Sequence, residues 1–248
     1  MSDAIFDLKD DILTIEFSRP EKSNPLTGEA VELILETLTG RDSSDLRLVV
    51  FKGSGRNFCS GFDLGGIEAA TDAEVLFRIL RVETLLQAVF HAPFVTAAFA
   101  HGNVVGAGAD LVCACTLRIA APDTRFRMPG LKFGVALGTN QLRHRVGADA
   151  ARRILLPSRT FDAKYALEVG FLERIVPIAD WPGVMDDAVK VASTLASASV
   201  AEVLSITGVD TRAEDMAALV RTAGRPGLQK RILDYRNEVQ ASRVNRTA

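Results

Sequence analysis

Cysteine is scarce in this sequence: three residues, Cys59, Cys113 and Cys115, an odd number without the paired spacing of a zinc site. That suits a reduced compartment better than a disulfide framework, and a cytoplasmic setting is expected. An excess of charge of one sign is also lacking. Twenty-nine Lys and Arg against 31 Asp and Glu leave a formal net charge of -2, so nothing suggests the long-range field of a nucleic-acid binder or an acidic interaction tail. Residues 1–9 carry acidic side chains and no basic segment leading into an apolar run, unlike a signal peptide. Residues 92–109 carry no formal charge, but they contain His101, Asn103 and three glycines. A buried strand and glycine loop is expected there rather than a membrane span, because lipid would leave irregular backbone unsatisfied. Low-complexity segments and solenoid-type repeats are absent too.

What is present is an alternation of strand and helix patterns in a chain long enough for one sizeable core. Leu13, Ile15 and Phe17 alternate with more polar neighbours after Asp10-Asp11, which predicts a hairpin at the start. Val31, Ile34, Leu35 and Leu38 recur at helical spacing, with Thr27 as cap and Gly40 as stop. Strands are expected at 46–52 and 94–100, each running into a glycine loop (53–66 and 102–108) and then a helix (73–90 and 110–115). Short strands at 117–121 and 125–128 and helices at 150–156 and 163–169 follow, and the chain reads as mostly helical from Trp181. The division expected is a core over 1–180 and a helical region over 181–248.

Glycine loops after buried strands often serve nucleotides, but here the spacing fails. Neither loop ends in the Lys-Ser/Thr of a P-loop, Gly106-Ala-Gly108 lacks the remaining glycine of a dinucleotide fingerprint, and no Gly-x-Ser-x-Gly elbow occurs. Three segments point elsewhere: Arg19-Pro-Glu-Lys-Ser-Asn-Pro-Leu26, Phe58-Cys-Ser-Gly-Phe-Asp-Leu64 and Gly102-Asn-Val-Val-Gly-Ala-Gly-Ala-Asp-Leu111. With Arg118-Ile-Ala-Ala-Pro, Phe126-Arg-Met-Pro129 and the run from Ala166 to Val176, they form an ordered set that resembles the enoyl-CoA hydratase/isomerase, or crotonase, superfamily.

The resemblance implies an α/β fold, a spiral of ββα units with a C-terminal helical region that carries trimer contacts and covers the coenzyme. It implies an acyl-CoA thioester as substrate, with coenzyme A part of that substrate and no separate cofactor or metal, and a homotrimer or dimer of trimers; neither nucleic acid nor membrane is an expected partner. The backbone N–H groups of Phe62 and Ala107 would hold the negative charge that develops on the thioester oxygen, each donor worth about 3 kcal/mol. Side-chain identity is loosely constrained there, so Ala107 in place of the family's glycine is tolerable at negative φ. Gly106 would shape that turn. Lys22, Ser60, Asp63 and Leu64 would lie along the adenine and pantetheine; Lys22 and Arg19 read equally as phosphate ligands or solvated charges. Lys230 and Arg231 fall where relatives bring a C-terminal helix over the nucleotide.

Two positions depart from the family pattern. Its hydratases use a glutamate pair, and the matching positions here hold Asp110 and Gly130. Asp110 reads either as the acid/base or as a helix-initiating residue bonded to loop N–H groups. Gly130 supplies no acid or base, which removes support for ordinary two-glutamate hydration and leaves isomerisation, slower addition, hydrolysis, carbon–carbon cleavage or binding without turnover. The following stretch, 134–144, is shorter than in relatives. Thr139 and Asn140 read as pocket-lining or as a helix cap, His144 as a surface or interface residue within a helix beside Arg143 and Arg145, His101 as a hydrogen-bonded buried histidine, and Cys59 as packing.

Overall fold

The computed structural model describes residues 3–40 and 45–247, with side chains through 242; Met1, Ser2, residues 41–44 and Ala248, parts of the expected core and helical regions, lie outside the described residues. The chain opens on the expected hairpin, β1 (Ala4–Lys9) and β2 (Ile12–Phe17), paired antiparallel around the tight turn in which Asp10 takes φ +55°. Each later repeat leaves one strand in a main sheet, one short strand in a smaller sheet and one helix. The first adds β3 (Pro25–Leu26) and α1 (Gly28–Thr39) to β2. The next two are β4 (Leu48–Gly53), β5 (Gly61–Phe62), α2 (Asp72–Phe90), and β6 (Val95–Ala100), β7 (Asn103–Val105), α3 (Ala107–Ala114). Then come β8 (Leu117–Ala120), β9 (Arg125–Arg127), α4 (Thr139–Leu155), and finally β10 (Phe161–Asp162), α5 (Ala163–Glu168), β11 (Arg174–Ile175). The main sheet runs β1-β2-β4-β6-β8-β11, parallel throughout after the hairpin; β10-β9-β7 and β3-β5 form the small sheets.

Parallel strands covered on both faces need apolar residues on both, and β6 is buried along its whole length. In β4 the alternation sorts residues to two cores. Val49 and Phe51 join α1, α2 and α3 on one face, while Leu48 and Val50 join Val184, Ala188 and Ala192 of α6 (Trp181–Ser193) on the other. The chain then continues helically through α7 (Ser197–Thr207), α8 (Arg212–Ala223) and α9 (Leu228–Thr247). Leu219 and Ala223 of α8 and Leu228 and Ile232 of α9 pack with Val75 and Ile79 of α2 and with Val135, a third apolar cluster beside the first.

α1 is capped by Thr27, whose side chain accepts from the Ala30 N–H, and α2 by a reciprocal capping box of Thr71 and Glu74. Two helix boundaries differ from the sequence expectation. α3 begins at Ala107, within the expected loop, because Gly106 (φ 54°, ψ −126°) turns the chain directly into the helix. α4 (Thr139–Leu155) joins the helix expected around His144 and the one expected at 150–156 into one element; the polar, arginine-rich stretch 140–149 lacks an apolar stripe, and Gly147 (φ 76°) bends the helix midway. The expected loop at 102–108 also contains β7.

Several of the matched sequence segments turn out to be fastenings. Asn24, 1% exposed, donates to the carbonyls of Ser54 and Asn57 at 2.9 and 2.8 Å and accepts from the Arg19 N–H, clasping the 19–26 turn to the first glycine loop. Buried Arg118 donates to the carbonyls of Phe171, Cys115 and Thr116 and pairs with Glu173, so the fourth and sixth segments meet. His101 is the bonded buried histidine expected, its Nε2 2.9 Å from the Gly55 oxygen. Among the described residues no single helix is long and apolar enough to cross a membrane; residues 92–109 form β6, β7 and the start of α3.

Candidate active site

The two glycine loops lie against each other. Val105 N–H donates to Cys59 O at 3.0 Å, and Cys59 pairs with Val104 in a parallel bridge. Gly61 (φ +89°) lies flat on the second loop: a Cβ there would strike the Val105 oxygen and come within 3.1 Å of the Ala107 nitrogen. Gly108 is the counterpart on α3, since a Cβ would meet the Cys59 Cβ at 2.8 Å. Only glycine at both positions lets the loops close to this distance.

That contact orients the backbone. Asp63 N–H donates to Leu26 O, and Phe62 stands opposite Leu26 in the parallel β3–β5 pair. Ala107 is the first residue of α3, and its N–H has no acceptor within the helix. It is not among the residues of positive φ, as expected for alanine here. Phe62 and Ala107 both line a cavity of about 420 Å³, as do Ser60, Leu64, Gly106, Asp110, Gly130 and Thr139. Lys22, Asp63 and Asn140 do not line it. Lys22 is exposed at the end of the 19–26 turn, its carbonyl accepting from Ser60 Oγ at 3.4 Å; Asp63 accepts from the Gly65 N–H in its own loop.

Most of the wall is apolar: Ile79 and Val82 from α2, Met128, Leu131, Phe133, Val135 and Leu137 from the segment after β9, and Ile232 and Val239 from α9. Asp110, one turn into α3, is the only acidic residue among them. No hydrogen-bond or ion-pair partner touches its carboxylate among the described residues, so it is not the cap bonded to loop N–H groups that was the alternative. Burial first, then the nearby carboxylates of Glu83 and Asp215, holds the Asp110 carboxyl well above the usual carboxylate range. The start of α3 pulls the other way, worth about 0.3–1 kcal/mol, and is outweighed.

The opposite wall explains Gly130. It begins a short 3-10 turn, Gly130–Phe133, that folds back so that Val135 N–H donates to the Gly130 oxygen at 2.9 Å. A Cβ on Gly130 would come within 2.7 Å of the Val135 carbonyl oxygen. This turn has no room for a side chain.

Behind Asp110 lie residues the sequence reading missed. Glu83, fully buried on α2, accepts from the Gly138 N–H at 3.0 Å and from Gln87, and burial pushes its carboxyl up to about 7. Asp215 on α8, 1% exposed, accepts from the N–H and side-chain amide of Asn140. Asn140 therefore anchors α8, and neither it nor Thr139 caps α4 through its side chain. The missed signal was periodic. Glu83 stands on the stripe of Val75, Ile79, Val82 and Leu86, and Asp215 on that of Leu219 and Ala223, so each is an acid at a core position. Of the late basic pair expected in the helix over the nucleotide, neither residue lines the cavity. Arg231 donates to the carbonyls of Phe133, Gly134, Ala223 and Arg225, and Lys230 pairs with Asp234. Among the described residues the cationic ones lining the cavity are Arg127, which donates to the Ser158 carbonyl, and Arg236, which pairs with Glu68.

The family model for enoyl-CoA hydratase/isomerase matches residues 7–230. The chain belongs to that family. A protein named probable enoyl-CoA hydratase echA6 from Mycobacterium leprae is 34% identical over 176 residues, 68% of this chain and 69% of the relative. A crystal structure from Bordetella parapertussis, named for the same family, superimposes with a TM-score of 0.91 at 41% identity and covers 94% of this chain and 98% of its own. Enoyl-CoA hydratase from Bacillus halodurans, at 20% identity, shares the fold with a TM-score of 0.81 over 94% of this chain and all of its own. The α/β crotonase fold expected from the sequence is the fold of this family.

Proposed function

We propose that this protein is an acyl-CoA enzyme of isomerase type that moves a proton within an unsaturated acyl thioester. One arrangement supports the reading: a single unpaired carboxyl, Asp110, lines the cavity together with Phe62 and Ala107, and it is faced by a turn too tight for a second acid at Gly130. Hydration of the usual kind employs one group to activate water and another to protonate carbon. Isomerisation needs one group used twice.

In the proposed step a 3-enoyl thioester places its carbonyl oxygen between the N–H groups of Phe62 and Ala107. The ionised Asp110 carboxylate removes a proton from C2, and the electron pair moves onto the carbonyl oxygen, giving a dienolate whose negative charge those donors hold. Asp110 then returns the proton to C4, and the double bond settles between C2 and C3. Holding the carboxyl above its ordinary range makes its anion a stronger base, suited to a weakly acidic carbon. The apolar wall suits an unfunctionalised acyl chain, and Arg127 and Arg236 suit the anionic part of coenzyme A. The second reading, hydrolysis through a tetrahedral adduct or carbon–carbon cleavage through the same enolate, draws on the same donors.

The deciding experiment incubates the protein with 2-enoyl-, 3-enoyl- and 3-oxoacyl-CoA esters and follows products by chromatography that separates the isomers, coupled to mass spectrometry. Interconversion of the 2- and 3-enoyl esters without mass change is expected. Addition of 18 Da, chain cleavage, or tight binding with no turnover would each overturn the isomerase assignment, and absence of any acyl-CoA binding would remove the whole reading.

A further inference from the structure

Gly138 lies between two acids: a Cβ on it would sit 3.4 Å from Asp110 Oδ1, and its N–H donates to Glu83. Two residues on, Asn140 binds Asp215. Three buried carboxylates, from α2, α3 and α8, thus converge on the first turn of α4. Gln141 belongs to the same place. It is fully buried, and Arg145, one turn further on the same face of α4, donates to the carbonyls of Cys113 and Cys115 at the end of α3. Gln141 therefore lies on the face of α4 that packs toward α3.

The wedge between α2, α3, α4 and α8 is short of partners. Both polar atoms of the Gln141 amide, Asp215 Oδ2, Thr211 Oγ1 and, at the outer end, His91 Nε2 are buried without a hydrogen bond. Those are five of the nine such atoms among the described residues. Folded proteins leave very few buried polar groups unmet, and groups clustered this way are usually bridged by internal water. The charged and titratable groups facing the wedge are Glu83 and His91 from α2, Asp110 and Cys113 from α3, Arg145 from α4, and Asp215, Arg212 and Asp210 at the start of α8. These groups range from Asp110 at the cavity to Asp210, whose side chain is 59% exposed and 3.9 Å from His91, and the Gln87 amide between them donates to Glu83 and to the Arg212 carbonyl.

We infer that the wedge between α2, α3, α4 and α8 holds ordered water, and that Glu83 and Asp215 are positioning residues through which this water exchanges the Asp110 proton with solvent from behind the cavity. The proton role rests on the reading of Asp110 as proton carrier; the water site does not. Bulk solvent is displaced from the cavity by a bound acyl chain, so a rear path lets Asp110 exchange its proton while substrate is in place. Atoms balance, since each water takes one proton and releases another.

The test uses the full chain with 3-hexenoyl-CoA in deuterium oxide. Wild-type product is expected to carry solvent deuterium at C4. In Asp215→Asn and Glu83→Gln, deuterium at C4 is expected to fall at least threefold, with more of the substrate's own hydrogen returned, while KM stays within about twofold. A merely structural role would alter turnover and leave that partition unchanged. Unchanged deuterium content in both variants overturns the proton path. If the variants do not fold, a high-resolution crystal structure of the wild type decides: water within hydrogen-bonding distance of the Gln141 amide and Asp215 Oδ2 is expected, and a dry wedge overturns the proposal. A wild type that holds this water but converts no enoyl-CoA defeats the isomerase reading and the proton role, leaving the water site standing.

Discussion

The two walls of the cavity are built from opposite materials. The α3 wall is regular: Gly106 turns the chain into a helix whose first and fourth residues, Ala107 and Asp110, both line the cavity. The wall facing it, from Pro129 to Gly138, is a turn closed on its own backbone, with Gly130 packed against the Val135 carbonyl. One wall is organised to present polar groups, the other to exclude them. A site of this kind supplies a single acid by construction, and its chemistry follows from that asymmetry more than from the identity of any one side chain.

The comparison can be broken most severely at Gly61. Gly61→Val places a side chain against the Val105 oxygen at positive φ, which should part the loops and cut activity by about a thousandfold through loss of donor geometry. Steady-state kinetics together with a thermal melt would separate this from unfolding. Asp110→Asn keeps the shape of the α3 wall and removes its chemistry. Turnover should fall by about 10²-fold or more with acyl-CoA affinity retained, measured by kcat and by equilibrium binding; unchanged activity would show that the polar wall does not act through this residue.

The acids behind that wall have a stability signature. Glu83 is raised from 4.5 to about 7 by burial, so the folded state holds its proton more tightly than the unfolded chain does. Its contribution is fully present below about pH 4.5 and is lost as pH rises through 7, amounting to about 3 kcal/mol, with Asp110 acting in the same direction. Urea unfolding between pH 5 and 8 should show the decline, and Glu83→Gln should flatten it. The smallest effect is expected on the closed wall. Gly130→Glu should not create hydratase activity, because the side chain must first open the turn; a loss of about 1–3 kcal/mol in stability and no hydrated product are the expected results.

The sequence made the alternation of strands and helices legible because each buried strand ended in a glycine loop, and Thr27 and Gly40 bounded α1 as expected. It also singled out Phe62, Ala107 and Asp110, which the fold brings to one cavity. The rest was hidden for identifiable reasons. α4 lacks an apolar stripe in its first half, so periodicity did not join the helical stretch around His144 to the one from 150 onward. Asn140 and Asp215 are 75 residues apart and meet only through the packing of α8. Arg231 looked like an available cation because sequence does not reveal the four carbonyls it ties together.

Cys59, which spaces the two glycine loops, has a practical consequence shared with the other cysteines. All three are buried, and desolvation holds each thiol up to about 12. The folded chain should thus be silent toward maleimides and other thiol reagents at neutral pH. A single cysteine introduced on the exposed surface can carry a fluorophore or spin label without background, and the appearance of native labelling would report that the loops around the cavity have come apart.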